Sequence, residues 1–201
     1  MSLEVPLESD VDKTAAHERA ANFQQLAEFK LPPNFRGRSG LVVQLWWLVQ
    51  ATLFRLSPQI LYGFRRWLLR LFGAHIGTGA VIRPTATFTY PWKVTLGDNA
   101  WIGDDVVIYS LGNISIGNDT VISQRSYLCA GTHDYRSRGF DILSPPITIG
   151  DKVWRAADVF VAPGVSIGNG AVVGARSSVL SDLPEMMVCA GSPARPRHPR
   201  F

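Results

Sequence analysis

An aliphatic or aromatic side chain returns every six residues along the middle of this chain. The series runs through Ile76, Ile82 and Phe88, then Leu96, Ile102 and Ile108, then Ile116, Ile122 and Leu128; a second run takes in Ile149, Val161, Ile167, Val173 and Val179. Four residues after most of these stands a small or β-branched residue, as at Ala80, Ala86, Ala100, Val106, Thr120 and Ser126, and later at Val153, Val159, Val165, Ala171 and Ser177. A period of six fits neither an isolated helix nor an alternating strand. It predicts a stacked coil with one short strand per hexad and three hexads per triangular turn, an all-β solenoid.

The breaks in the period are informative. From Phe88 to Leu96, and from Ile108 to Ile116, the step is eight rather than six, so both two-residue insertions fall at one corner of the triangle. At the same corner of the next turn the chain departs on a long excursion, Gly131 to Pro146, before a regular 18-residue coil resumes. A loop that long inside a regular solenoid points to function.

Ahead of the solenoid the pattern changes twice. Residues 1–38 mix acids, bases, Ala and Gln without a strong apolar face, and the stretch from Thr14 to Phe29 reads as a polar helix. Residues 39–73 are rich in Leu and Trp, and from Leu41 to Phe72 they hold Arg55, Arg65, Arg66 and Arg70 and no acid. Pro58 divides this segment into two helices. The first, LVVQLWWLVQATLF, is apolar nearly all round but shorter than the roughly 20 residues of a membrane span. The second sets Ile60, Phe64, Trp67, Leu68 and Leu71 on one face against Arg66 and Arg70 on the other. Two readings stay open for the pair: a cap over the open end of the solenoid, or a helical pair lying in a bilayer interface with arginines on the headgroups. The expected organisation is therefore a tail over 1–38, a hydrophobic basic helical segment over 39–73, the solenoid over 74–183 with its loop at 131–146, and a terminal segment over 184–201.

Composition narrows the classes. The chain has 201 residues, is 46% hydrophobic and carries a net charge of +4, enough for a proper core and suited to a phosphorylated cofactor or an anionic membrane surface. That charge is too weak to argue for nucleic acid. Cys129 and Cys189 are far apart and the histidines are scattered, so no zinc-ligand grouping is expected. Two lone cysteines and an acidic opening, MSLEVPLESD, favour a reduced cytoplasmic setting over export.

The hexads, together with DKVWRAADVFVAPGVSIGNGAVVGARSSVL, AGSPARPR and LCAGTHDY, resemble the hexapeptide-repeat acyltransferases. The preface RLSPQILYGFRRWLLRLFGAHIG narrows the resemblance to sugar O-acetyltransferases of the colanic-acid type. The resemblance covers about Ile76 to Arg195 and implies a left-handed parallel β-helix with an N-terminal helical extension, assembled as a homotrimer. It also implies acetyl-CoA as co-substrate with no metal, direct transfer in a ternary complex, and a sugar or lipid-linked saccharide as acceptor.

Carried onto this chain, the family's catalytic histidine falls on His133, at the mouth of the long loop. A neutral imidazole there can take the proton of an attacking hydroxyl and return it to the leaving thiolate. Counted along the hexads, His133 shares a corner with Asn113 and Lys93, which places Asn113 as an acceptor-binding candidate. Asp104 and Asp105 are candidates for acceptor hydroxyls or else a solvated corner; Asp134, with Tyr135, Arg136 and Arg138, is of the same kind. Cys129 reads as packing rather than as a nucleophile. On the cofactor side, Trp154 matches the family's tryptophan beside the pantetheine arm. Ala157 and Ala175 fall on one column of successive turns, where small residues let a thin chain approach backbone. Leu180 and Ser181 follow at the last coil, and Arg195 matches an arginine that meets the nucleotide phosphates.

Four departures stand out. Arg155 occupies a position where the hexad wants an aliphatic, and a charge pointing inward is costly unless paired or redirected. Arg176 replaces a usual glycine and Ser181 a frequent lysine, while Gly103 stands where better-known sugar acetyltransferases carry asparagine. The reading is thus a cytoplasmic O-acetyltransferase of surface-polysaccharide assembly, with peripheral contact at the inner membrane face through 41–72 left open beside the capping role. An N-acetyltransferase acting on an amino sugar or amino acid and a non-catalytic scaffold are its rivals; a β-helical carbonic anhydrase would need more histidines within the coils.

Overall fold

A computed structural model describes residues 23–201. Its contacts divide the chain into two units, one of 34–132 with 144–201 and the other of the chain up to Pro33 with His133–Leu143. The larger unit is a parallel β-solenoid. Its three faces are a five-stranded sheet starting at His75–Ile76, a seven-stranded sheet starting at Val81–Ile82 and a five-stranded sheet starting at Thr87–Phe88.

Strand register reproduces the hexads. On the first face Ile76, Leu96, Ile116, Ile149 and Ile167 stack in one column. On the second, Ile82, Ile102, Ile122, Arg155 and Val173 do so, and on the third, Phe88, Ile108, Leu128, Val161 and Val179. Every one of these side chains is buried, and so is the small or β-branched residue two positions before it, such as Ala80, Thr120 or Ile114. Each strand is thus an inward residue, an outward residue and a second inward one, so the six-residue period is the strand period of two joined to a corner. Corner residues take left-handed backbone, among them Asn99, Asp119 and Lys152 in successive coils. Asn and Asp tolerate this conformation. They also tie the corner together: the Asp98 carboxylate accepts from Thr78 N–H, Asn118 Oδ1 from Asp98 N–H, and Asp151 Oδ1 from Asn118 N–H at 2.6–2.8 Å. A Cβ on Gly117 would lie 2.3 Å from that same Asp151 oxygen, which excludes any larger residue.

Both insertions lie at the corner between the third and first faces, as the pattern predicts. One of them holds a short 3-10 turn, Pro91–Lys93. Beyond the last full coil, Met187–Gly191 joins the second face in parallel and Ala194–Pro199 folds back on it antiparallel.

Two helices precede the solenoid, α1 at Gly40–Val49 and α2 at Tyr62–Leu71, with α1 continued by a π-helical stretch at Gln50–Phe54. Ser39 caps α1 by accepting from Val42 N–H. They form the cap. The first strand of each face is a sheet edge with carbonyls that no earlier coil can satisfy, and the helices supply the donors. Arg70 donates to Ile76 O at 2.6 Å and to Gly77 O at 3.0 Å, Arg66 to Ala80 O at 2.7 Å, Arg65 to Ile82 O at 2.6 Å, and Trp46 Nε1 to Phe88 O at 2.7 Å. Gln50 Oε1 accepts from Phe88 N–H. This corrects the placement of Arg66 and Arg70 on lipid headgroups, since both are occupied by backbone. It also corrects the face of α2, whose buried residues are Arg65, Leu68 and Leu69 while Trp67 and Leu71 are exposed. Among the described residues no helix is long and apolar enough to cross a membrane.

The smaller unit is built on the excursion. Thr132–His133 pairs with Ile142–Leu143 as a two-stranded ribbon, so the expected loop holds its own strands. Asp134 N–H donates to Asp141 O, and Ser137 N–H to Asp134 O. Of the polar helix expected over Thr14–Phe29, residues 14–22 lie outside the described part, and the rest forms only a 3-10 turn at Leu26–Glu28.

Candidate functional site

The second face carries the exposed aromatic residues Trp101 and Trp154 at outward positions, because Val81, Trp101, Val121, Trp154 and Val172 form one outward column. With one residue between them in the column, they stand about 10 Å apart. Trp154 Nε1 donates to Ser123 Oγ at 3.3 Å, which steadies the ring and leaves its face open.

Around Trp101 an open groove of about 670 Å³ is lined by Tyr62, Arg83, Asp104, Asp105, Gln124 and Arg125, among others. Asp104 is held firmly: Arg83 Nε donates to it at 2.8 Å and Thr85 Oγ1 at 3.1 Å. Asp105 sits in left-handed backbone and its N–H donates to Thr85 Oγ1. The two predicted residues therefore meet at one threonine, Asp104 through its carboxylate and Asp105 through its backbone, and line one groove. Hydrogen bonds with the Gln59 side chain and then with Arg83 hold the Tyr62 phenol below its ordinary pKa. Tyr62 and Arg83 were not singled out by the sequence, although Tyr62 lies in the quoted preface, because only folding brings α2 beside the second face.

The cofactor candidates occupy the later coils. Arg176 N–H donates to Ala157 O at 2.9 Å, which sets Ala157 and Ala175 on one corner column of adjacent coils. Leu180 is exposed. Arg195, on the terminal hairpin, donates to Ser181 Oγ at 3.2 Å, so two candidates from different segments meet. Arg176 accepts the left-handed backbone of its corner and lies 3.8 Å from Asp158, which is also gripped by Arg125 at 2.8 Å. The hydrogen bonds from Arg125, and then the charges of Arg125 and Arg176, pull the Asp158 carboxyl below its usual range. Asn113 is exposed, and its carbonyl accepts from Ile147 N–H at 2.9 Å; Ile114 pairs with Ile147, so the strand that stacks on Asn113's own resumes only after the excursion. At the same corner Lys93 donates to Phe35 O at 2.7 Å and to Leu111 O, and burial lowers its pKa.

In the smaller unit His133 is half-buried, with its ring stacked on Phe140 at 4.2 Å between centroids and 11° between planes. Phe29 approaches it from the N-terminal segment at 6.1 Å. Nδ1 lies 2.7 Å from Phe140 O. A carbonyl can only accept, so Nδ1 carries the proton in that bond and the neutral ring keeps its lone pair on Nε2. Asp134 is turned inward on the loop, accepting from Arg136 N–H at 2.9 Å. Arg138 is bound to Glu28 at 3.0 Å and to Gln25 at 2.7 Å, which ties the loop to the N-terminal segment. Cys129 Sγ is 3.1 Å from Gly131 O. Among the described residues no three His, Cys, Asp or Glu side chains are grouped to hold a metal ion.

Arg155 is fully buried, its inward side chain stacked between Ile122 and Val173, and among the described residues its three guanidinium nitrogens have no hydrogen-bond partner. Burial pushes it down to about 9. Among the described residues the charge is neither paired nor redirected, so the cost expected of an inward arginine stands.

No family model matches the chain. It is 61% identical over 171 residues to WcaF of Escherichia coli strain K12, a protein named for acetyl transfer in colanic acid biosynthesis; the match covers 85% of this chain and 94% of WcaF. A hexapeptide-repeat acetyltransferase of Vibrio cholerae, solved with acetyl-coenzyme A, superposes with a TM-score of 0.72 at 25% identity, over 81% of this chain and 91% of that one. A galactoside acetyltransferase solved with coenzyme A gives 0.75 at 25% identity, over 86% and 85%. Repeat, register, solenoid and relatives agree: the chain belongs to the hexapeptide-repeat acetyltransferases, enzymes that take their acetyl group from acetyl-CoA.

Proposed function

We propose that the protein acetylates a hydroxyl of a saccharide during surface-polysaccharide assembly, with His133 as general base. The observation that carries this reading is the bond between His133 Nδ1 and Phe140 O, which leaves Nε2 as a proton acceptor. The hydroxyl attacks the thioester carbonyl as Nε2 removes its proton. The tetrahedral intermediate then collapses, the carbon–sulfur bond breaks, and the imidazolium returns the proton to the CoA thiolate. The products are an acetyl ester and free CoA.

Acetyl-CoA supplies an already activated acyl group. Trp154 offers a face for the pantetheine arm, the Ala157 and Ala175 corner lets it approach backbone amides, Leu180 adds apolar contact, and Ser181 with Arg195 meets the phosphates. The groove around Trp101 suits a sugar, whose apolar ring face stacks on an aromatic side chain while Asp104 and Asp105 accept from its hydroxyls. Asn113 and Asp134 are weaker acceptor contacts in this scheme. A homotrimer would let one subunit's acceptor groove serve a neighbour's histidine. The acceptor is placed at the inner membrane face, where lipid-linked saccharides would be met.

The test is release of the CoA thiol from acetyl-CoA with a panel of oligosaccharides and amino sugars. Release that requires a saccharide hydroxyl is expected, and the product should be an alkali-labile ester. Transfer only to amines, giving a stable amide, would overturn the reading.

A further inference from the structure

We infer that the outer face of α1 is a docking surface for an anionic lipid bilayer. This deepens the peripheral placement proposed above and rests on it for the enzyme's place of work, though lipid binding itself requires no acceptor.

Capping the solenoid uses only half of α1. Val43 and Trp46 are wholly buried, as is Phe54 in the π-helical continuation. On the opposite side Leu41, Leu45 and Leu48 follow at i, i+4 and i+7, a single apolar stripe, and Leu41 and Leu48 are 84% and 62% exposed. The turn beyond adds Leu56 at 78% and Ile60 at 82%. A cap needs a polar outer face to remain soluble, whereas this one offers leucine to solvent, far beyond the scattered apolar residues of ordinary surfaces.

Charge identifies the occupant. Between Glu28 and Asp98 the chain has no acidic residue, while Arg36, Arg38, Arg55, Arg65, Arg66 and Arg70 all fall there. The cap arginines are spent on first-coil carbonyls, which offer no countercharge, and Arg55 stands exposed at the end of the helical run. An uncompensated positive field beside an apolar stripe matches a bilayer with anionic headgroups, each nearby cation adding attraction. The helical run is too short to span, so the contact is a helix lying in the interface. Trp67, 55% exposed on α2, is the residue type favoured at that depth.

The experiment is co-sedimentation of the full chain with vesicles of phosphatidylcholine alone or with about 30% phosphatidylglycerol. In parallel, thiol release with a soluble saccharide is measured. The intact protein should partition to the anionic vesicles, and the Leu45→Ser/Leu48→Ser variant should bind them on the order of tenfold or more weakly with thiol release unchanged. Arg55→Glu should weaken binding less, and added salt should reduce it. Several results overturn the inference: no binding by the intact protein, equal binding to neutral vesicles, or full binding by the serine variant. So does a serine variant that loses oligomer mass in solution, which would show the stripe packing against a second copy. Loss of thiol release with vesicle binding intact would count against the proposed transfer reaction and leave the docking surface standing.

Discussion

Among the described residues two arginines are fully buried, and their surroundings predict opposite responses to the same substitution. Arg65 donates to Ile82 O, Ser57 Oγ, Pro58 O and Gln59 O, all within 2.9 Å. Arg155 donates to nothing among the described residues. One pKa unit corresponds to about 1.36 kcal/mol, so displacement of Arg155 from 12.5 to about 9 represents a penalty of about 5 kcal/mol. Methionine fills similar space without a charge or orphan donors. Allowing for imperfect repacking, Arg155→Met should stabilise the fold by about 3 kcal/mol, which for a chain of this size raises Tm by roughly 6–12 °C. Arg65→Met should instead destabilise by about 3 kcal/mol or more, because it strands buried acceptors. The assay is urea and thermal unfolding of the three proteins from pH 7 to 10. A cation whose folded pKa lies below its unfolded value loses its proton first in the native state, so stability rises with pH from about 9 upward. The advantage of Arg155→Met should therefore be full at pH 7 and shrink above about pH 9. An Arg155→Met protein less stable than the parent, or an advantage that does not change with pH, would refute the reasoning.

Other variants probe the cofactor and acceptor candidates. Trp154→Ala should weaken acetyl-CoA binding, measured by calorimetry, roughly 5- to 30-fold, the range for removing a well-placed aromatic anchor. Asp104→Asn removes the charge that Arg83 holds in place and should raise the acceptor KM several-fold while acetyl-CoA affinity stays constant. Light scattering of the intact protein should give three times 22.1 kDa; a monomer would remove the shared-site arrangement.

The repeat made most of the fold legible, since inward positions recur in the sequence at the spacing they have in space. Ile82, Ile102 and Ile122 could be placed on one column before any coordinates, and even Arg155 was visible as an intruder. What the sequence hid are interactions whose partner is backbone or lies across the chain. The cap arginines read as a charged helix face because the carbonyls of Ile76, Ala80 and Ile82 leave no trace in residue type. The Ser181–Arg195 and Arg83–Asp104 pairs join segments that no local pattern connects. The ribbon within 131–146 was masked by its polar, glycine-containing composition, and with it the part of Phe140, whose carbonyl orients His133. The histidine itself was found by resemblance, as a lone imidazole has no spacing to announce it.

The most direct test of the account is the turnover of His133→Ala at saturating acetyl-CoA and saccharide, with CoA affinity measured on the same preparation. Loss of the base should lower turnover by on the order of 100-fold or more while CoA binding stays within about twofold, because none of the residues assigned to the cofactor contacts depends on the imidazole. Turnover close to that of the parent protein would contradict it and remove His133 from the mechanism.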